Sequence, residues 1–118
     1  MSRVFKALGY TWDGLKAAAQ HEEAFKQELI IIVPLSIAAW FVPVPILERA
    51  LLFSVLQLIL IVELINSAIE ANTDHISLER HPLAKRAKDM GSAAVFLAIV
   101  IAAACWICVL CQKYGSHV

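Results

Sequence analysis

Four polar side chains recur at helical spacing inside an apolar stretch of this 118-residue chain: Glu63, Asn66, Glu70 and Asp74, separated by three, four and four residues. At about 100° per residue they fall near 0°, −60°, −20° and +20° on a helix, one narrow stripe. An ionised carboxylate at mid-bilayer costs about 2.5–3.5 kcal/mol even on lenient insertion scales. The stripe must therefore face protein, water or a bound cation. Acidic oxygens without a cysteine or a histidine pair suit a hard ion such as Mg²⁺, which accepts one or two carboxylates together with phosphate oxygens. A nearby lysine would neutralise phosphate charge, and a spare carboxylate could serve as general base toward a hydroxyl. Two chemistries fit these residues: phosphoryl transfer at a membrane interface, and cation- or proton-coupled transport through an intramembrane glutamate. A phosphate-cradling glycine loop does not decide between them, because the only glycines are Gly9, Gly14, Gly91 and Gly115. His21, His75, His81 and His117 show no metal-ligand spacing.

Other charges gather near one end of the stripe. Lys85, Lys88 and Asp89 open the last apolar run, and Glu22, Lys26 and Glu28 precede the first. Flanking bases commonly snorkel to the interface, which accounts for Arg80, Lys85 and Arg86. It does not account for Glu63, Asn66 and Glu70, which are too deep and too well aligned.

The elements that position these groups must be membrane helices. The chain is 60% hydrophobic and 17% charged, with a mean hydropathy of +0.72. Soluble domains sit near 45–50% apolar and about 25% charged. Lys+Arg 10 balance Asp+Glu 10, which leaves no basic face for nucleic acid. So apolar a chain is not disordered either. Three apolar runs approach the roughly 20 residues a helical span needs: Leu29 to Leu47, Ala50 to Ile69, and the uncharged Gly91 to Leu110. Pro34, Pro43 and Pro45 interrupt the first, so its helix is expected to start near Glu23 to Glu28 and to stop near Val42. The expected architecture is an all-α membrane protein of one domain, residues 1–118, with spans at 28–47, 50–70 and 91–110.

The first 28 residues lack the layout of a signal peptide, and 1–27 is expected to form a surface helix and the entry to the first span. Phe5, Leu8, Trp12, Leu15 and Ala19 recur at steps of three and four and form one apolar helical face. A tryptophan-bearing amphipathic helix before a span reads as a segment lying in the membrane surface, the competing arrangement being a helix packed on protein. Gly9 and Gly14 weaken it. Arg3, Lys6, Lys16 and Lys26 precede the first span and Arg80, Lys85, Arg86 and Lys88 the third, against only Arg49 and Lys113 on the other side. The positive-inside rule therefore puts the N-terminus and the loop from Asn72 to Asp89 in the cytoplasm, and the C-terminus opposite. Cys105, Cys108 and Cys111 are odd in number and separated by apolar residues, so they read as small core residues and not as a disulfide or metal framework.

Glu63-Leu64-Ile65-Asn66-Ser67-Ala68-Ile69-Glu70 with Asp74 resembles the signature of the prokaryotic diacylglycerol kinases. So does Ala87-Lys88-Asp89-Met90-Gly91-Ser92-Ala93-Ala94-Val95. Lys6-Ala7, Gly9-Tyr10, Trp12 and Gly14-Leu15 complete the likeness, with Glu22 and Ala24-Phe25-Lys26-Gln27-Glu28, over essentially the whole chain. The resemblance implies a homotrimeric membrane lipid kinase of the bacterial cytoplasmic membrane, with a surface helix and three spans per subunit. Its reaction would be transfer of the ATP γ-phosphoryl group to diacylglycerol, giving phosphatidic acid.

Carried onto this chain, the resemblance makes Glu63 the general base on the lipid hydroxyl. Glu22 and Glu70 would be ligands of the Mg²⁺ that bridges the nucleotide phosphates. Asn66 would support this group and Asp74 would order the polar cluster. Nucleotide contacts would come from Lys88 and Asp89, with Arg3, Tyr10 and Glu79-Arg80-His81. Lipid contacts would come from Arg3, the surface helix at Ala7 to Trp12 and Lys16 to Ala19, the Ala24 to Glu28 entry, Glu63 and Ser92. Phe41 to Val44, Arg49 and Trp106 to Cys111 would meet the acyl chains. The chain departs from the family pattern at Thr73, usually Val, at Glu23, a second acid beside Glu22, and at Lys26, where Arg is common. An undecaprenol kinase of the same family and a small oligomeric transporter are the competing readings. Tyr10, Trp12 and the block from Glu22 to Glu28 favour diacylglycerol over undecaprenol.

Overall fold

The computed structural model describes residues 2–76 and 82–115, and all regular structure among them is helical. Four helices follow in order: α1 (Ser2–His21), α2 (Glu23–Ala39), α3 (Ile46–Ile76) and α4 (Pro82–Tyr114). The helix α1 runs unbroken through Gly9 and Gly14. Phe5, Leu8 and Trp12 are each 60–66% exposed, and only Ala18 of this helix is buried against protein. The apolar face is thus left open, as a helix lying in a bilayer surface requires.

Glu22 separates α1 from α2 with an extended backbone, φ −110° and ψ 106°. Its amide still donates to Ala18 O at 2.9 Å and its carbonyl accepts from Lys26 N at 3.1 Å, so the break is one residue wide. The helix α2 tolerates Pro34 but stops at Ala39, three residues before the expected Val42. Pro43 and Pro45 cannot continue a helix, and each holds its predecessor out of the α region. Arg49 stitches the turn, its Nε donating to Val44 O at 2.9 Å and its Nη1 to Trp40 O at 3.3 Å.

The helix α3 has 31 residues and α4 has 33, so each is longer than the span expected within it. Both are long and apolar enough to cross a membrane, with mean hydropathies of 2.1 and 2.9 in their most apolar windows. At 17 residues α2 lies at the short end of the roughly 17–25 residues a helical span needs. Together with the exposed apolar surface of Ile30, Ile31, Phe96 and Ile107, these two helices mark a membrane protein.

The main contact is between α3 and α4, with α2 against the other flank of α3. Gly91, Ala98, Ala102 and Val109 are the buried residues of α4 and lie within about 40° of one another around the helix. Such small side chains let two helices approach closely in lipid. Ala98, Ala102 and Val109 meet Leu52, Val55, Leu56 and Ile59 of α3, joined from α2 by Ile32 and Ala39. Two directed bonds add to this packing: Trp106 Nε1 donates to Leu52 O at 3.2 Å, and Gln57 Nε2 to Ser36 Oγ at 2.7 Å.

Candidate active site

The apolar contact face of α3 and its polar stripe are one continuous face. Leu52, Leu56 and Ile59 lie within about 60° of each other and of the direction of Glu63 and Glu70. What changes along α3 is the chemistry, apolar in the half near Arg49 and acidic toward Asp74. Glu63, Asn66 and Ser67 are 5%, 6% and 6% exposed. The face of α3 that buries Leu52 among its neighbours therefore also carries the buried Glu63.

Further acids act on this buried carboxylate from a distance. Glu63 is within electrostatic reach of Glu70 and Glu22, and Glu28 in turn feels Glu63. Glu28 is half-buried and its Oε2 has no hydrogen-bond partner. Asn66 Nδ2 donates to Glu70 Oε1 over 3.4 Å, while Asn66 Oδ1 is buried and unpartnered. Glu22 makes no cap to its own helix, which leaves its carboxylate available. Like charges gathered away from water need a cation or protons to hold them together.

No three His, Cys, Asp or Glu side chains among the described residues converge as a complete metal cage. Two carboxylates completed by phosphate oxygens and water are what Mg²⁺ commonly takes. The acids around Glu63, with the orphaned oxygens of Glu28 and Asn66, are a donor set compatible with that ion.

At the outer end of the stripe Lys88 Nζ lies 2.5 Å from Asp74 Oδ1 and links α4 to α3. Lys88 precedes the uncharged run that starts at Gly91 and so lies outside the span. Its hydrogen bond to Asp74 holds the ammonium above the usual lysine range. Asp89 is about 160° around α4 from Gly91 and pairs with Lys85 at 2.7 Å, 64% exposed. Within one chain it is therefore not gathered with the Glu63 stripe. Arg3 is exposed and lies ~28 Å along α1 from Glu22. Glu79, Arg80 and His81 lie outside the described residues.

A cavity of about 530 Å³ separates α1 from α3. Tyr10, Gly14, Ala18 and Glu22 line one side, Leu64, Ser67 and Ala71 the other. It is largely apolar and ends on Glu22, so it joins the membrane-surface helix to the acids. Ala7, Trp12, Lys16 and Ala24 are exposed nearby along the chain, and Ser92 is exposed on α4. At the far end of the bundle Val44 is buried, Phe41 is 80% exposed, and Trp106 and Cys111 lie on the last turns of α4.

A model of the prokaryotic diacylglycerol kinase family matches residues 9–110. The chain belongs to that family. It is 46% identical over 114 residues to the diacylglycerol kinase of Escherichia coli K12, covering 97% of this chain and 93% of that one. It is 48% identical over 110 residues to that of Pseudomonas aeruginosa PAO1, covering 93% and 89%. The Helicobacter pylori J99 diacylglycerol kinase is 42% identical over 104 residues, covering 88% and 81%.

Within this family member, two features escaped the spacing argument. Ser67 is buried beside Asn66 and reaches the cavity, but a lone serine in an apolar run carries no signal. Gly91 faces Asn66 so closely that a Cβ there would collide with its amide, and its only trace in the sequence is a glycine where the last apolar run begins.

Proposed function

We propose that this chain phosphorylates diacylglycerol with ATP and releases phosphatidic acid at the cytoplasmic face of the bacterial inner membrane, in the service of phospholipid recycling. The observation that carries the reading is the burial of Glu63 on a stripe shared with Asn66 and Glu70, in a member of the diacylglycerol kinase family. Glu63 takes the proton of the lipid's free hydroxyl. The oxygen so released attacks the γ-phosphorus in line, the bond to the β-γ bridging oxygen breaks, and ADP leaves. Glu63 then returns its proton to water. A base in hydrogen-bond reach of the attacking hydroxyl contributes typically 10²–10⁴-fold.

Glu22 and Glu70 would hold Mg²⁺, which when bound supplies charge neutralisation between nucleotide phosphates and carboxylates. Asn66 orients Glu70, and Lys88, released from Asp74, meets phosphate. Nucleotide contacts are assigned to Arg3, Tyr10, Asp89 and the stretch Glu79 to His81. The cavity between α1 and α3 takes the glycerol end of the lipid beside Glu22 and Ser67.

The working form is a homotrimer with three spans per subunit, the N-terminus cytoplasmic and the C-terminus opposite. A face such as Asp89 and Lys85, turned away from the stripe in one chain, is then free to serve a neighbouring site. The exposed apolar residues of α4 supply surface for that assembly.

The test is phosphoryl transfer from labelled ATP in mixed micelles containing Mg²⁺, with diacylglycerol and undecaprenol offered together. Labelled phosphatidic acid, abolished by EDTA, is the expected result. Labelling of undecaprenol alone would overturn the substrate assignment, and no transfer to either would overturn the kinase reading.

A further inference from the structure

Gly91 is the first buried residue of α4, where the α3–α4 seam passes from apolar to acidic. A Cβ built there would collide with Asn66 Oδ1 and lie 3.0 Å from Asn66 Cγ. The backbone does not call for glycine, since no glycine among the described residues has a positive φ. Helix propensity argues against it, glycine being a poorer helix former than alanine. Further along the same seam Ala98 and Ala102 pack at 3% and 4% exposure, so the seam accepts a methyl elsewhere. What distinguishes position 91 is the amide opposite it. Asn66 is 6% exposed, its Oδ1 has no partner, and its Nδ2 reaches Glu70 Oε1 over a long 3.4 Å.

We propose that Gly91 is a positioning residue for the acidic site: its missing side chain leaves the space in which the Asn66 amide is held against Glu70. This inference rests on the reading of Glu70 as a metal ligand in a phosphoryl-transfer site. An alanine at 91 drives the amide off its position, because a helix-borne Cβ is fixed and only the Asn66 torsions can yield. Glu70 then loses the donor that orients it, and outer partners of a ligating carboxylate typically carry about 10–100-fold in metal affinity. A serine at 66 lacks the oxygen that collides, so the two positions must be coupled.

The experiment compares the full-length wild type with Gly91→Ala, Asn66→Ser and the double variant in detergent. Mn²⁺ binding in the presence of a non-hydrolysable ATP analogue is read by electron paramagnetic resonance, alongside Tm. Gly91→Ala is expected to weaken Mn²⁺ binding about tenfold. In the Asn66→Ser background the same substitution should change it less than about twofold, the mark of contact between coupled sites. An unchanged Mn²⁺ affinity in Gly91→Ala overturns the inference. So does an equal loss in both backgrounds, which would mark general helix packing, and so does a wild type that binds no Mn²⁺.

Should Gly91→Ala fail to fold, recovery of a folded, Mn²⁺-binding protein in the double variant supports the contact, and failure of both variants overturns it. Diacylglycerol phosphorylation is measured on the same wild-type sample. Absence of transfer with the Mn²⁺ coupling intact sinks the proposed function and leaves the role of Gly91 standing. Transfer by the wild type without the coupling sinks the role of Gly91 alone.

Discussion

Lys88 Nζ and Asp74 Oδ1, 2.5 Å apart, tie the C-terminal end of α3 to the N-terminal end of α4. The pair is half open to solvent and sits one turn beyond Glu70; under the proposed function the lysine exchanges from Asp74 onto a nucleotide phosphate. Lys88→Ala removes one charge-assisted hydrogen bond to that phosphate and should raise the ATP KM by about tenfold or more. Asp74→Asn frees the lysine and should move KM less than about threefold. Steady-state kinetics at fixed Mg²⁺ check both. The ammonium is held above the usual lysine range, so the pair's contribution is complete at neutral pH and fades only as pH rises through the raised value. Activity should show no Lys88-dependent step between about pH 6 and 9.

Glu63 and Glu70 are expected to fail differently. Glu63→Gln keeps shape and removes the base, so kcat should fall about 10²–10⁴-fold while binding of an ATP analogue survives. Glu70→Gln should lower turnover and also raise the Mg²⁺ concentration needed for half-maximal rate. Isothermal titration with the analogue, beside a Mg²⁺ titration of rate, separates the two. A near-normal rate in Glu63→Gln would remove it from the role of base.

Ser36 and Gln57 hold α2 to α3 through a 2.7 Å hydrogen bond inside the bundle. Interhelical polar pairs in membranes are worth about 0.6 kcal/mol on average and up to about 1.7. Ser36→Ala should lower stability by about that amount, because the remaining amide still has the 3.4 Å contact to Phe53 O. Unfolding in mixed detergent should register the loss while kcat stays within about twofold of wild type. A large drop in kcat would mean that this pair communicates with the acids.

Trp106 fastens α4 to α3 by ring packing against both apolar clusters and by its bond to Leu52 O. Trp106→Phe keeps most of the ring packing and loses the donor, for about 1 kcal/mol. Trp106→Ala removes that packing as well and should cost more, up to about 3 kcal/mol for so partly buried a ring. The ratio of the two losses, measured by the same unfolding assay, tells packing from hydrogen bonding.

What the sequence determined by itself is whatever lies on a single helix. The period of 3.6 residues per turn puts Glu63, Asn66, Glu70 and Asp74 on one stripe and Phe5, Leu8 and Trp12 on one face, wherever those helices end up. Composition made this a membrane chain, and Pro43 with Pro45 made a turn before α3. The helix ends were less legible: Ala39 ends α2 sooner than the apolar run does, because hydropathy continues through residues whose backbone has already turned.

Tertiary structure alone decided which faces meet. The helix α4 is apolar nearly all round, so periodicity marks no side of it, and its contact face was chosen by the small residues Gly91, Ala98 and Ala102. That choice turned Lys88 toward Asp74, left Asp89 with Lys85 on the far side, and set Gly91 against Asn66. The packing of α2 on the other flank of α3 brought Glu22 and Glu28, more than thirty residues away in the chain, into reach of Glu63. Spacing along one helix is a local, geometric property, whereas contacts between helices depend on how two complete surfaces fit.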